Sequence, residues 1–370
     1  MDERTRPSRI DQVLPSIVER DAVSHHTIEA QRILRQLGFV SEIYAVNMGP
    51  EMAGRVHLIA DLPRVEGGSQ WVCYQGSIGS PAADAFAAHP GPKLLNYHNI
   101  TPANLVEAWM PSLGDEVRLG RTQLGALAKD VSFGIADSAY NASELEAWGY
   151  SHTTVSMLMV DHANFDVTPD ARRRASLAQA KQNGGADWLF VGQMLPHKAH
   201  QDVVKGFAAY LRAYDPLARL HLAGRDSCPP YALAVRRYVE SLGISSSVDF
   251  AGSVTSAELV ALYETADVYV SCSNHEGFCA PLLEAMHHGV PIVAFSAAAV
   301  PETVGDAGVI LPSKEPALVA AAAERVLSDS SLREHLVSLG HCRAQLFTPA
   351  RARAQFESAV AMALELVPRS

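Results

Sequence analysis

Short apolar runs alternate along this chain with segments whose apolar positions recur at helical spacing. A helix predicted over residues 23–37 stops at Gly38, and strand-like runs follow at 41–46, 70–74, 93–97, 134–137 and 153–158. Residues 166–186, with Pro169 and the pair Gly184–Gly185, read as a linker. The alternation then restarts at 188–191 and continues at 219–223, 248–251, 268–270, 292–294 and 308–311. An amphipathic helix over 349–366 closes the chain. Strands alternating with helices predict an α/β fold of parallel sheets under covering helices. The restart predicts two Rossmann-like halves with a ligand cleft between them. The expected divisions are 1–168, a linker at 169–186, a second domain at 187–346 and a terminal segment at 347–370.

The densest chemistry lies where one of these strands gives way to a helix. Residues 266–273, Ala-Asp-Val-Tyr-Val-Ser-Cys-Ser, read as a buried strand, and Glu276 follows in a turn without bulky charged residues. A short helix then carries Glu284, with Pro281 in its first turn, where the missing N–H costs nothing. Gly289 ends it and Pro291–Phe295 opens the next strand. Free amides and the helix dipole at such an end attract phosphate. Two carboxylates flanking that turn are suited to accept hydrogen bonds from hydroxyls on either side of a phosphate. A ligand with hydroxyls on both sides of a diphosphate is a nucleotide sugar.

Composition narrows the classes. A length of 370 residues suits two domains, and 48% hydrophobic with 19% charged residues describes a soluble globular chain. Disorder is expected at most in the first ten or so residues, which are polar and basic. A net charge of −10, with no basic block longer than Arg172–Arg174, argues against nucleic-acid binding. The triplet reads as a solvated helix face. No apolar run reaches membrane-spanning length and no signal-peptide core is visible, so a cytoplasmic location is expected. Glycosylation at the N-x-S/T matches of Asn99 and Asn141 is then not expected.

The five cysteines are scattered without a C-x-x-C pair, as reduced core thiols would be. The pairs His25–His26, His197 with His200, and His287–His288 lack a Cys or carboxylate at zinc spacing, so no metal is expected. Trp109, Trp148 and Trp188 read as core rather than as sugar-stacking platforms.

Glu276 and Glu284, separated by seven residues, match the E-x7-E motif of the retaining glycosyltransferases of family 4. The stretch His275–Met286, followed by Val300-Pro-Glu-Thr-Val-Gly305, resembles that family's donor site. The resemblance covers nearly the whole chain and is strongest over 188–311. It implies the GT-B architecture, two Rossmann-like domains facing each other across a cleft, with the last helix crossing back to the first domain. The first domain would receive the acceptor and the second the nucleotide sugar.

The same resemblance implies a role for each site residue. Lys198 matches the Lys of the family's Gly-Arg-(x)4-Lys pattern and would contact the donor diphosphate, whereas Gln193 stands where the Arg is expected. Glu284 would hold the ribose hydroxyls and Glu276 those of the sugar ring. The turn amides from Gly277 through Phe278, Cys279, Ala280 and Leu283 would hold the diphosphate beside Lys198. His98 ends the run 94–97, and carboxyl ends of strands carry function in such sheets. Family members have a His there, near the donor sugar and the cleaved bond, so the resemblance implies a catalytic set of His98, Glu276 and Lys198; read as a lone His, His98 either serves that function or caps the following turn.

The glycine-rich loop usual at the first strand–helix junction is replaced by Arg20-Asp-Ala-Val-Ser-His-His26. There Ser24 and its neighbouring amides either approach the phosphate or acceptor, or cap a helix together with Asp21. Gly76 and Ser77 open a small polar loop, 76–80, that either lines the acceptor cleft or makes a tight turn.

The resulting expectation is a retaining, metal-independent glycosyltransferase without a cofactor, using a UDP- or GDP-linked sugar as co-substrate. Its acceptor is a glycan, a lipid-linked sugar or a natural-product scaffold. No nucleic-acid partner is expected, and the absence of a clear basic amphipathic face leaves only peripheral membrane association open. Two other readings stand beside it: a GT-B pseudo-glycosyltransferase or nucleotide-sugar epimerase, and a catalytically silent nucleotide-sugar-binding subunit.

Overall fold

The computed structural model describes residues 7–19, 21–64 and 70–366, and they form two compact units. The first six residues and Arg20 lie outside the described residues. The first unit takes the chain up to Asn104, Ser112–Asp161 and everything from Pro349 onward. The second takes Leu105–Pro111 and His162–Thr348.

Unit one is built on a seven-stranded parallel sheet: β1 (Arg9–Ile17), β2 (Ile43–Met48), β3 (His57–Leu58), β4 (Gln70–Gly76), β5 (Lys93–Tyr97), β6 (Phe133–Ala136) and β7 (Thr153–Val155). Their order is β3-β2-β1-β4-β5-β6-β7. Unit two holds a six-stranded sheet of β8 (Asp187–Val191), β9 (Arg219–Ala223), β10 (Val248–Gly252), β11 (Val268–Ser271), β12 (Ile292–Phe295) and β13 (Gly308–Leu311), ordered β10-β9-β8-β11-β12-β13. Both sheets are doubly wound: the strand order reverses next to the first strand, between β1 and β4 and between β8 and β11. Covering both faces of a parallel sheet selects continuous apolar runs such as Trp-Leu-Phe in β8 and Ile-Val-Ala in β12, all buried.

Sequence periodicity missed β1, the strand on which the first sheet turns. Its polar residues Asp11 and Gln12 and its Pro15 resemble a loop, yet Asp11 and Gln12 are fully buried. The Asp11 carboxylate accepts from the Glu42 amide at 2.9 Å and the Gln70 side chain at 2.8 Å, and pairs with Arg9. Pro15 fits because Ile10 and Gln12 donate toward the β2 side, so by alternation position 15 points toward β4. Pairing with β4 ends at Val13, as expected where residue 15 has no N–H to donate.

Two further differences concern the linker and a tryptophan. Residues read as linker include a helix, Ala171–Lys181, capped by Asp170, whose side chain accepts from the Arg173 amide at 2.7 Å. Trp188 is fully buried as expected, but Trp109 is 41% exposed and is corrected to a surface residue. The last helix, Pro349–Leu366, packs within unit one through Ala352, Phe356, Ala359, Val360 and Ala363. Its Gln355 accepts from the Met157 amide at 2.9 Å. Among the described residues no helix is long and apolar enough to cross a membrane.

Candidate active site

In an open doubly wound sheet the groups that meet a ligand lie outside the carboxyl ends of the strands where the order reverses. In unit two those ends are residues 192–198 after β8 and 272–284 after β11. The Asn274 amide donates to the His197 carbonyl at 2.7 Å and ties the two segments together. Lys198 then reaches Glu276, its Nζ 2.8 Å from each carboxylate oxygen. Glu276 is 7% exposed and the Lys198 side chain 19%. Burial works against the ammonium, but the Glu276 charge outweighs it and holds the Lys198 pKa above its ordinary value.

The turn after Glu276 is fastened at two carbonyls. The Ala299 amide donates to Glu276 O at 3.1 Å, and Thr303 Oγ1 donates to Phe278 O at 2.7 Å. Phe278 meets the Phe347 ring edge-on at 5.7 Å, and Leu283 is buried below the turn. Gly277 and Ala280 are half-buried. The Leu282 amide is already used, donating to Cys279 O at 3.0 Å.

Cys279 adopts φ 67 and ψ 66, a left-handed conformation, immediately before the helix Ala280–His287. Burial, reinforced by Glu276, pushes its thiol well above the ordinary range, so it stays a thiol. Burial and the Lys198 charge likewise push His197 well below its ordinary value, so that imidazole is neutral. Glu284 accepts from the Tyr263 hydroxyl at 2.8 Å. Burial raises the Glu284 carboxyl above its usual range, with the Tyr263 bond opposing the shift. Tyr263 in turn stacks on His288, centroids 5.3 Å apart.

Gln193 is exposed, and its Oε1 accepts from Ser227 Oγ at 2.6 Å; Arg225 Nε donates to the same hydroxyl at 3.2 Å. Among the described residues no three His, Cys, Asp or Glu side chains gather as metal ligands.

In unit one, His98 ends β5 with its side chain 1% exposed. Its Nδ1 is 2.9 Å from Asp137 Oδ2 and its Nε2 is 2.6 Å from Gln75 Oε1. Gln75 donates to Gln12 Oε1 at 2.7 Å, and Gln12 donates to the Thr27 carbonyl at 2.9 Å. Both imidazole nitrogens are therefore held by protein acceptors. Ser24 is 1% exposed and belongs to the helix cap: its amide and hydroxyl both donate to Asp21, and the Val18 amide donates to its oxygen. Gly76 is the buried last residue of β4 and Ser77 is half-buried. The loop they open is pinned, because a Cβ on Gly79 would lie 2.3 Å from the Glu116 carbonyl.

Backbone strain marks the same places. The non-glycine residues with positive φ among the described chain are Asn99, Ala199, Cys279 and Ala298. They follow His98, follow Lys198, lie inside the Glu276–Glu284 turn and precede the amide bonded to Glu276 O. Such residues persist where the surrounding structure over-determines them, typically at functional sites.

Sequence reading did not find Tyr263, Gln75 or Asp137. Asp137 had a usable signal, since it follows the strand neighbouring the one that His98 ends. Tyr263 had none, because an aromatic at helical spacing reads as core.

The family model of glycosyl transferases group 1 matches residues 172–340, which contain Gln193, Lys198, Tyr263 and the turn 276–284. A D-inositol 3-phosphate glycosyltransferase from Salinispora arenicola is 33% identical over 189 residues, which cover 48% of this chain and 42% of that protein. The chain thus spans less than half the length of that curated relative. Among solved structures, the sucrose-phosphate synthase from Thermosynechococcus elongatus superposes with a TM-score of 0.74 at 16% identity, covering 97% of this chain and all (100%) of that one. The Anabaena protein Alr3699/HepE, solved in complex with UDP and glucose, gives 0.74 at 16% identity, covering 96% and 100%. The chain has the two-domain α/β GT-B fold, and over residues 172–340 it is similar to the glycosyltransferases of group 1 and, through its E-x7-E motif, to those of family 4.

Proposed function

We propose that this protein is a retaining glycosyltransferase that draws on a nucleotide-diphosphate sugar and needs no metal. The observation that carries the reading is the buried Lys198–Glu276 pair, with Glu284 eight positions on, at the strand-order reversal of unit two. Lys198 holds the diphosphate and neutralises it as it leaves. That stabilisation is worth several kcal/mol in a site shielded from water. Glu276 accepts from sugar hydroxyls, and Glu284, oriented by Tyr263, from ribose hydroxyls. The Anabaena protein's complex with UDP and glucose supports a donor of this class.

In the transfer, the bond from the anomeric carbon to the diphosphate oxygen breaks and its electron pair leaves with the nucleoside diphosphate. The acceptor oxygen bonds to the same face of that carbon, and its proton passes to the departing phosphate oxygen. His98, held by Asp137 and Gln75, fixes the shape of the β5 end, and in this reading the acceptor enters near it and the 76–80 loop.

The test is a thermal-shift screen against UDP, GDP, TDP and ADP sugars without metal, repeated on Glu284→Ala. A ligand bound only by the folded state raises the melting temperature by mass action. A shift with one nucleotide family, lost in Glu284→Ala, supports the reading and names the base. No shift with any donor overturns the nucleotide-sugar reading as a stand-alone activity and leaves a silent partner subunit that binds none of these sugars, for which the uncharged Gln193 is the specific support, or an unusual donor. Conversion of the nucleotide sugar to its epimer without an acceptor identifies an epimerase instead.

A further inference from the structure

A diphosphate leaving group carries more than one negative charge, and Lys198 already shares its own with Glu276. One half-neutralised ammonium is a weak counter-charge, and position 193 offers only an amide. The neighbouring strand end supplies what is lacking. β8 and β9 pair in register through Val191 and Ala223, and beyond the sheet the Gly192 amide donates to Ala223 O and the Met194 amide to Arg225 O, each at 2.8 Å. Arg225 therefore stands beside Gln193, on the segment that follows the neighbouring strand.

Glycine makes this approach possible. Gly224 has φ +153, and a Cβ there would lie 1.9 Å from the Gly192 carbonyl oxygen. On its other side Gly192 carries the Lys198 stem, whose Cδ would be 3.6 Å from a Cβ at 192. Lys198 and Arg225 thus flank the same two residues, 192 and 193. Ser227 links the Arg225 guanidinium to the Gln193 amide through one hydroxyl. The nearby Asp226 is paired with Arg236 at 3.2 Å, and among the described residues Arg225 has no carboxylate partner.

We propose that Arg225, steered by Ser227 and Gln193, is the second cation of the diphosphate site and supplies from the end of β9 the charge that position 193 lacks. The inference rests on the nucleotide-sugar reading above. A guanidinium suits the task because its fork of N–H donors bonds two phosphate oxygens at once.

Calorimetric titration of UDP, GDP, UMP and GMP into the wild type, Arg225→Gln and Arg225→Gln/Gln193→Arg tests it. Arg225 is exposed, so the melting temperature without ligand stays at the wild-type value. The expected result is about tenfold weaker binding of the nucleoside diphosphate in Arg225→Gln, the size of one charge-assisted hydrogen bond. The monophosphate changes less, and Gln193→Arg restores the loss. A wild type that prefers the diphosphate, with Arg225→Gln preferring it equally, overturns the role of Arg225 and leaves the donor reading intact. A wild type that binds none of the four overturns both.

Discussion

Glu284 is a residue whose environment opposes its charge. Burial raises its carboxyl above the usual range, with only the Tyr263 hydroxyl acting against that. The sign of the effect on stability follows from linkage. In the unfolded chain the carboxyl ionises near 4.3, whereas in the fold it ionises later. Stability is therefore undiminished below the unfolded value, falls as the pH rises through the interval, and stays lower above the folded value. Glu284→Gln removes the charge yet still accepts from Tyr263. It should melt higher than the wild type at pH 8, and the two should converge at pH 4. A gain that persists unchanged at pH 4 would mean that packing, not charge, separates them. The same substitution should weaken nucleotide-sugar binding, the usual exchange of stability for a functional charge. Glu276 and Glu284 were legible in the sequence because their spacing straddles a strand-to-helix turn. Tyr263 and Arg225 were not, since each acts from a neighbouring element that only the sheet order brings close.

At the scale of the element, the turn 276–284 depends on one backbone conformation. Cys279 sits at φ 67, where an L side chain costs roughly 1–2 kcal/mol relative to the right-handed region. Glycine would remove that strain but add about 0.5–1 kcal/mol of backbone entropy. Cys279→Gly should thus leave the denaturation midpoint within about 1 kcal/mol of the wild type. Cys279→Val places a β-branched side chain in the same conformation and should lose on the order of 1–3 kcal/mol. Urea unfolding at constant m value distinguishes them; equal losses for Gly and Val would point to the buried thiol rather than the backbone. This conformation was invisible in the sequence, because Cys carries no turn signal as Gly or Asn does. For the opposite reason β1 was also missed: its polar residues signal a loop, and only the partners of Asp11 and Gln12, distant in sequence, make them acceptable in a core. The apolar strands β8, β11 and β12 were found near their true positions because burial on both faces leaves no polar interruption.

At the scale of the whole molecule, unit one is not continuous in sequence: it is completed by the last helix, Pro349–Leu366. That helix buries Phe356 at 1% exposure, with its ring 6.0 Å from His26 and edge-on to it. His26 is fully buried and, through burial and the neighbouring His98 and His25, is held well below its ordinary pKa; its Nδ1 accepts the Met159 amide at 3.1 Å. Its ring also lies 4.8 Å from that of His98, so Phe356 supports one wall of the polar network around β5. Removing the phenyl ring leaves a cavity against these imidazoles and costs about 3–5 kcal/mol. Phe356→Ala should therefore lower the melting temperature. Amide exchange should rise in β1 and β5, of unit one, while β8 and β11, of unit two, keep their protection. Because the helix is remote in sequence from the strands it covers, chains cut before Pro349 should show the same pattern of lost protection. Equal loss in β8 and β11 would mean that the last helix stabilises the molecule as one cooperative body and not unit one alone.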